Sequence, residues 1–178
     1  DIHYLKAYAL YLEKKYQVAR KLLTRVSQDP YPDGEQGRQK SPNRFLARYL
    51  IAQIYHAQQQ PEKALSWYKK IQFQFSDARS QVRYLSKKQL YIPEVTTALP
   101  QEKIQLKVTH QNIQKVQVHA YYVDLMKLYL LKKNLSHVTK IRLSGIRPTY
   151  QTQWVLGKGQ EFEPKTSRLS LPLKRAGA

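Results

Sequence analysis

The sequence predicts an α+β fold built in series: α-helical hairpins over residues 1–90, a linker over 91–101, and an antiparallel β-sandwich over 102–178. Three observations predict it. Apolar residues follow the 3.6-residue period of a helix through the first ninety positions, and follow a period of two from Lys103 onward. Between the two regimes Pro93 and Pro100 bracket Val95-Thr96-Thr97, an extended, helix-averse stretch.

The helical half divides further. Tyr4, Leu5, Tyr8 and Leu12 form one apolar stripe, and Val18, Ala19, Leu22, Leu23 and Val26 form a second. The charged Glu13-Lys14-Lys15 falls between them and marks a turn. Residues 28–42 hold Pro30, Pro32, Gly34, Gly37 and Pro42, a density of breakers that predicts no regular structure there. Helical spacing resumes with Phe45, Leu46, Tyr49, Leu50, Ala52, Ile54 and Tyr55, pauses at Gln58-Gln59-Gln60, and continues through Ala64, Leu65, Tyr68 and Ile71. Pro61 suits a first helical turn, which needs no amide donor. A third helix is expected over residues 78–89 from Ala78, Val82 and Leu85.

In the second half Ile104, Leu106 and Val108 alternate with polar residues, as do Val116, Val118, Ala120 and Tyr122. Ile141 and Leu143, then Trp154 and Leu156, then Leu169, Leu171 and Leu173 continue the alternation. A hairpin is expected around Asn112, and Gly157 and Gly159 mark another turn. Short strands at this spacing favour a sandwich over a closed barrel. Residues 124–133 are ambiguous: Leu125, Leu128, Tyr129 and Lys132 fit a helical turn or two inserted between strands.

A repeat runs through the helical half. Ala7 and Ala19 stand twelve residues apart, as do Ala52 and Ala64; Leu10 and Tyr55 follow the first alanine of each pair, and Leu23 and Tyr68 the second. Small side chains let antiparallel helices approach closely while bulky ones fill the space beside them. The pattern resembles the tetratricopeptide repeat. Ala52, Tyr55, Ala64 and Tyr68 match it, Arg48 stands at its Trp position, and Lys6 replaces its usual Leu in the first unit. The two units are out of phase by more than the family's ~34 residues, an excess the Pro/Gly loop explains. The resemblance implies a concave surface lined by the first helix of each unit. Its groove positions fall on Tyr4, Tyr8 and Tyr11, and on Tyr49, Gln53 and His56.

Residues 100–106, a turn at Asn112 and the run Val118-His119-Ala120-Tyr121-Tyr122-Val123-Asp124-Leu125 resemble the start of a macroglobulin-type, immunoglobulin-like β-sandwich. Gln101 replaces the Gly of the family's Pro-Gly-Glu turn. Leu169-Ser170-Leu171-Pro172-Leu173 and Ala176-Gly177-Ala178 resemble the run into its Gly-Ala-Tyr strand, which implies a domain incomplete at this end. Helical repeats feeding such a domain are similar to bacterial alpha-2-macroglobulin-like proteins. That resemblance implies a structural or interaction segment of a periplasmic or extracellular protein whose full-length relatives trap proteases. The start at Asp1, inside an expected helix, and the end at Ala178 read as an excerpt of a longer chain. Gly34-Glu35-Gln36 echoes the tail of the family's thioester motif, but Asp33 stands where the Cys would be, so no thioester forms.

The charge is the unusual number. Lys plus Arg total 31 and Asp plus Glu 12, a net +19 spread over both halves, with 17 of the basic residues in the first ninety positions. Such a field attracts polyanions without specificity. No Lys/Arg run exceeds two residues and the tyrosines fall on positions that packing explains, so specific nucleic-acid binding is not expected. Cys is absent, which excludes disulfides and thiolate chemistry. No apolar run approaches ~18 residues, so any membrane anchor would lie outside this segment. His3, His56, His110, His119 and His137 lack metal-pair spacing, and His110 and His119 could face each other only as two ligands across a hairpin. Glu161 and Glu163 read as solvated carboxylates, and six scattered glycines make no phosphate loop. The expectation is therefore no enzyme, no cofactor and no metal. The expected partner is a protein or peptide, proteases included in the full-length protein. The alternative to the macroglobulin reading is a free-standing repeat scaffold that binds its partner through the concave helical face.

Overall fold

In the computed structural model, which describes residues 2–32, 37–99, 102–133 and 145–172, helices occupy the N-terminal part of the chain and antiparallel strands the C-terminal part. Contacts divide the chain into two units, residues 1–87 and 88–178. Among the described residues there are six α-helices, five of them in the first unit.

The first unit begins with α1 (Ile2–Leu12) and α2 (Tyr16–Gln28), continues with α3 (Arg44–Ala57) and α4 (Pro61–Lys69), and ends with α5 (Ser76–Ser86). Each helix packs on the next, and α1 also touches α3. The repeated alanines lie where the helices meet: Ala7, Ala19, Ala52 and Ala64 are all fully buried. Ala7 and Ala19 share one buried cluster with Leu23, Val26, Ala47, Leu50, Ile51 and Ile54. Each fully buried Leu or Ile contributes about 1.5–3 kcal/mol of transfer free energy.

The repeat extends to the turns. After α1, Lys14 takes φ +60° and Lys15 N–H donates to Leu10 O at 2.9 Å; after α3, Gln59 takes φ +54° and Gln60 N–H donates to Tyr55 O at 2.9 Å. Both are left-handed C-terminal turns of the kind that reach back to satisfy a free helix carbonyl. Leu10 and Tyr55 are the equivalent positions of the alanine pattern. Pro61 opens α4 at its first turn.

Two expectations for this unit need correction. Residues 28–42 are not devoid of regular structure: β1 (Pro30–Pro32) and β2 (Arg38–Lys40) pair antiparallel, Tyr31 opposite Gln39. A two-stranded ribbon consists only of edges, where proline's missing N–H is tolerated. The third helix runs over Ser76–Ser86, and Gln89, expected at its end, lies in a strand instead.

The second unit contains β3 (Gln89–Tyr91), β4 (Ile104–Gln111), β5 (Lys115–Ala120), α6 (Leu125–Lys132), β6 (Tyr150–Val155) and β7 (Lys165–Leu171). They form two antiparallel sheets, β3-β4-β7 and β5-β6. Tyr91, the first residue of the expected linker, pairs with Thr109. Side chains alternate along each strand: Val116, Val118 and Ala120 are half-buried while Lys115, Gln117 and His119 are exposed. Residues 124–133 resolve as helix, with Asp124 Oδ1 accepting from Lys127 N–H at 3.0 Å as the N-cap.

The expected hairpin around Asn112 does not form. β4 and β5 belong to different sheets, and Asn112 marks the passage between them at φ +53°, a left-handed conformation asparagine tolerates. Its Oδ1 accepts from Phe162 N–H at 2.9 Å, and Gln111 Nε2 donates to Phe162 O at 2.7 Å. Two buried side-chain amides thus clamp the backbone N–H and C=O of one residue of the β6–β7 connection. In the same connection Lys158 N–H donates to Glu161 at 2.7 Å, and a Cβ on Gly157 would collide with that carboxylate. The readings that rest on Gly34–Gln36, Pro100, Gln101, His137, Ile141, Leu143, Leu173 and residues 176–178 lie outside the described residues.

Three substitutions test these packing arguments. Ala64→Leu forces bulk between α3 and α4 and is expected to cost about 1–3 kcal/mol, whereas Gln59→Gly relieves a left-handed turn and should gain about 1 kcal/mol. Urea melts followed by Trp67 fluorescence in a Trp154→Phe background read both. In the second unit, Asn112→Ala removes the acceptor for Phe162 N–H and should cost about 1–3 kcal/mol, read from Trp154 in a Trp67→Phe background.

Candidate functional site

The helical unit brings residues of four helices around one cavity of about 410 Å³. From α3 come Tyr49, Gln53 and His56, spaced i, i+4, i+7 on one stripe, while Leu50, Ile51 and Ile54 of the same helix are buried in the core. Tyr11 enters from α1 and Tyr68 from α4. Asp77, Ser80 and Gln81 complete the lining from α5, again at one-face spacing.

Aromatic contacts organise the walls. Tyr49 lies edge-on to Tyr68 with centroids 6.2 Å apart and tilts against Phe75 at 5.1 Å. His56 also meets the Tyr68 ring, at 6.2 Å. Along α1 the rings of Tyr4, Tyr8 and Tyr11 follow one another at 6.5 and 6.3 Å, and Tyr11 reaches Tyr16 at 5.9 Å. Pairs at such separations add about 0.5–1.5 kcal/mol beyond the area they bury.

Of the six positions expected to bind a partner, Tyr11, Tyr49, Gln53 and His56 line the cavity, all half-buried. Tyr4 and Tyr8 do not. They extend the aromatic row along α1, Tyr8 being 44% exposed. The sequence reading missed Tyr68, Asp77, Ser80 and Gln81. Tyr68 had been assigned to packing, and it does both, with 3% of its surface exposed. The spacing of Asp77, Ser80 and Gln81 was the available signal for α5.

Burial raises the Tyr68 hydroxyl to about 12, with Tyr49 and Tyr11 adding to the effect. Tyr4 is raised by burial and by Tyr8, and Tyr11 by burial and by Tyr16, Tyr8 and Tyr49. Gln81 Oε1 is buried without a hydrogen-bond partner among the described residues.

Elsewhere, His3 and His119 are exposed. His110 is not a surface residue: it is 1% exposed on β4, with Nε2 3.1 Å from Ser167 Oγ. It does not face His119 across a hairpin, because His110 pairs with Leu90 and Lys165 in one sheet and His119 with Gln151 in the other. Among the described residues no three His, Asp or Glu side chains converge as metal ligands, and no helix is long and apolar enough to cross a membrane. Glu161, half-buried and opposed by some desolvation, is nevertheless held below the usual carboxylate range by backbone N–H groups around Lys158 and by Lys165. A further cavity of about 500 Å³ between Ile2, Leu22, Val26, Pro30 and Pro42 has mostly apolar walls. Compared with known proteins, the chain matches no family model, no curated protein and no solved structure.

The raised Tyr68 hydroxyl makes stability depend on alkaline pH. A tyrosine whose folded value lies above its unfolded value of about 10 stabilises fully below that value and loses the contribution as pH rises toward about 12. Absorbance titration of phenolate should therefore show a group of late-ionising tyrosines that loses its last member in Tyr68→Phe, whose stability should fall less steeply above pH ~10.

Proposed function

We propose that the chain is a protein-interaction segment with no catalytic site of its own, and that its helical unit is a tetratricopeptide-like scaffold holding an extended peptide in the tyrosine-lined groove. The carrying observation is that Tyr11, Tyr49, Gln53 and His56, on α1 and α3, share one cavity with a face of α5. First helices of successive hairpins line the concave surface in that family, and the recurrence of buried alanines and left-handed turns in the two hairpins supports the likeness. Tyrosine suits the task, offering area, a polar tip and few rotatable bonds.

A second reading concerns the strand-rich unit. Its division into two antiparallel sheets, with consecutive β4 and β5 in different ones, favours an immunoglobulin-like sandwich of macroglobulin type. On that reading the segment belongs to a bacterial alpha-2-macroglobulin-like protease-trapping or surface protein, periplasmic or extracellular. The groove would then hold a peptide of the same assembly or of a captured protein. The +19 charge adds a non-specific attraction to polyanions.

Selection of a phage-displayed random dodecapeptide library on the intact chain tests the groove. Enriched peptides should lose at least about tenfold in affinity, about 1.4 kcal/mol, on the Tyr11→Ala/Gln53→Ala variant, with circular dichroism unchanged. Peptides that bind wild type and variant alike, or no enrichment at all, would overturn the reading.

A further inference from the structure

The groove has a chemistry that the rest of the chain does not. In a protein with 31 Lys and Arg against 12 Asp and Glu, its lining contains no Lys or Arg, and its one carboxylate is Asp77. Five cations of α3, α5 and the α4 segment engage other groups. Arg44 and Arg48 of α3 lie over Phe45 at 4.4 and 5.8 Å, and Arg48 also donates to Ser27 O at 3.3 Å. On α4, Lys63 faces Tyr55 at 5.7 Å and Lys70 faces Trp67 at 4.0 Å; on α5, Arg79 donates to Gln72 O at 3.2 Å.

What the groove offers is acceptors and ring faces. Asp77 presents a carboxylate without a neutralising partner in the lining, and Gln81, one turn further along α5, presents a buried oxygen with no donor. A buried acceptor left unpaired costs about 1–3 kcal/mol, so a ligand that donates to it recovers that cost. The same cavity is lined by the half-buried rings of Tyr49 and Tyr11, whose faces attract cations, with Tyr68 buried behind them. A carboxylate, an unpaired amide oxygen and aromatic walls, with no competing cation, complement a positively charged hydrogen-bond donor on a flexible stem.

We infer that the groove is specific for an extended peptide that inserts a Lys or Arg side chain, its charged head against Asp77 and Gln81 and its stem along the tyrosine rings. This rests on the peptide-groove reading above and goes beyond it by naming the side chain selected. It runs against the overall charge of the chain, which would select acidic peptides. The local groups decide because exposed charges beyond a Debye length of about 8 Å are largely screened at physiological salt.

The test uses the intact chain and fluorescein-labelled peptide mixtures of eight residues, seven randomised among uncharged residues and one fixed as Lys, Arg, norleucine or Glu. Affinities are read by fluorescence polarisation at about 0.15 M salt. Lys and Arg mixtures should bind about fivefold more tightly than norleucine mixtures, and the advantage should vanish in Asp77→Asn while the norleucine affinity stays the same. Asp77→Asn keeps the size of the side chain, and circular dichroism checks its fold. Equal binding of norleucine mixtures, tighter binding of Glu mixtures, or a cationic preference that survives Asp77→Asn overturns the inference but leaves a peptide groove. Binding by none of the four mixtures overturns both.

Discussion

The close approach of helices at four alanines is the constraint from which the helical unit follows. Ala7, Ala19, Ala52 and Ala64 are each fully buried, so a larger side chain at any of them has to displace a packed neighbour. That spacing brings α3 into contact with α1 and leaves one face of α1, α3 and α5 around common space. Tyr68 shows how the two requirements join. Its ring follows Ala64 by one helical turn and fills the space the alanine leaves, and the same ring is the floor on which Tyr49 and His56 rest. Packing and groove therefore draw on one side chain.

How much of this was legible depended on whether the determinant was local. The helices, their breaks at Glu13–Lys15 and Gln58–Gln60, and the buried alanines follow from periodicity, because a 3.6-residue stripe is a property of neighbouring residues. The strands over Ile104–Gln111 and Lys115–Ala120 were equally readable from alternation. Their partners were not. Asn112 between two alternating runs is the usual sign of a hairpin, yet its side chain is committed to Phe162, fifty residues away, and that bond helps carry the chain into a different sheet. The β1–β2 ribbon failed in the opposite sense: prolines that exclude a central strand do not exclude an isolated pair. In the groove, the stripe on α3 and Tyr11 were legible from helical spacing. Asp77 was not, since an acidic residue in the first turn of a helix already has a sufficient explanation in the helix dipole.

The disposition of charge resolves an apparent conflict between a strongly basic chain and a groove free of basic side chains. Arg20 and Lys63 both lie over Tyr55, Arg44 and Arg48 over Phe45, and Lys70 over Trp67, so aromatic residues outside the groove lining hold five of the cations of the helical unit. Each such contact is worth about 0.5–1 kcal/mol at an exposed site. Tyrosines inside the groove and aromatics outside it thus divide their roles by the helix face they occupy. On α3, Tyr55 packs half-buried against the core, outside the groove lining, and His56, one residue on, belongs to the lining. A rotation of about 100° per residue separates the two environments. A helix can therefore carry a large positive charge on one side and present a neutral, hydrogen-bonding surface on the other. The net charge of the whole chain sets its long-range attraction to polyanions, while selectivity at short range belongs to the few groups that share the cavity.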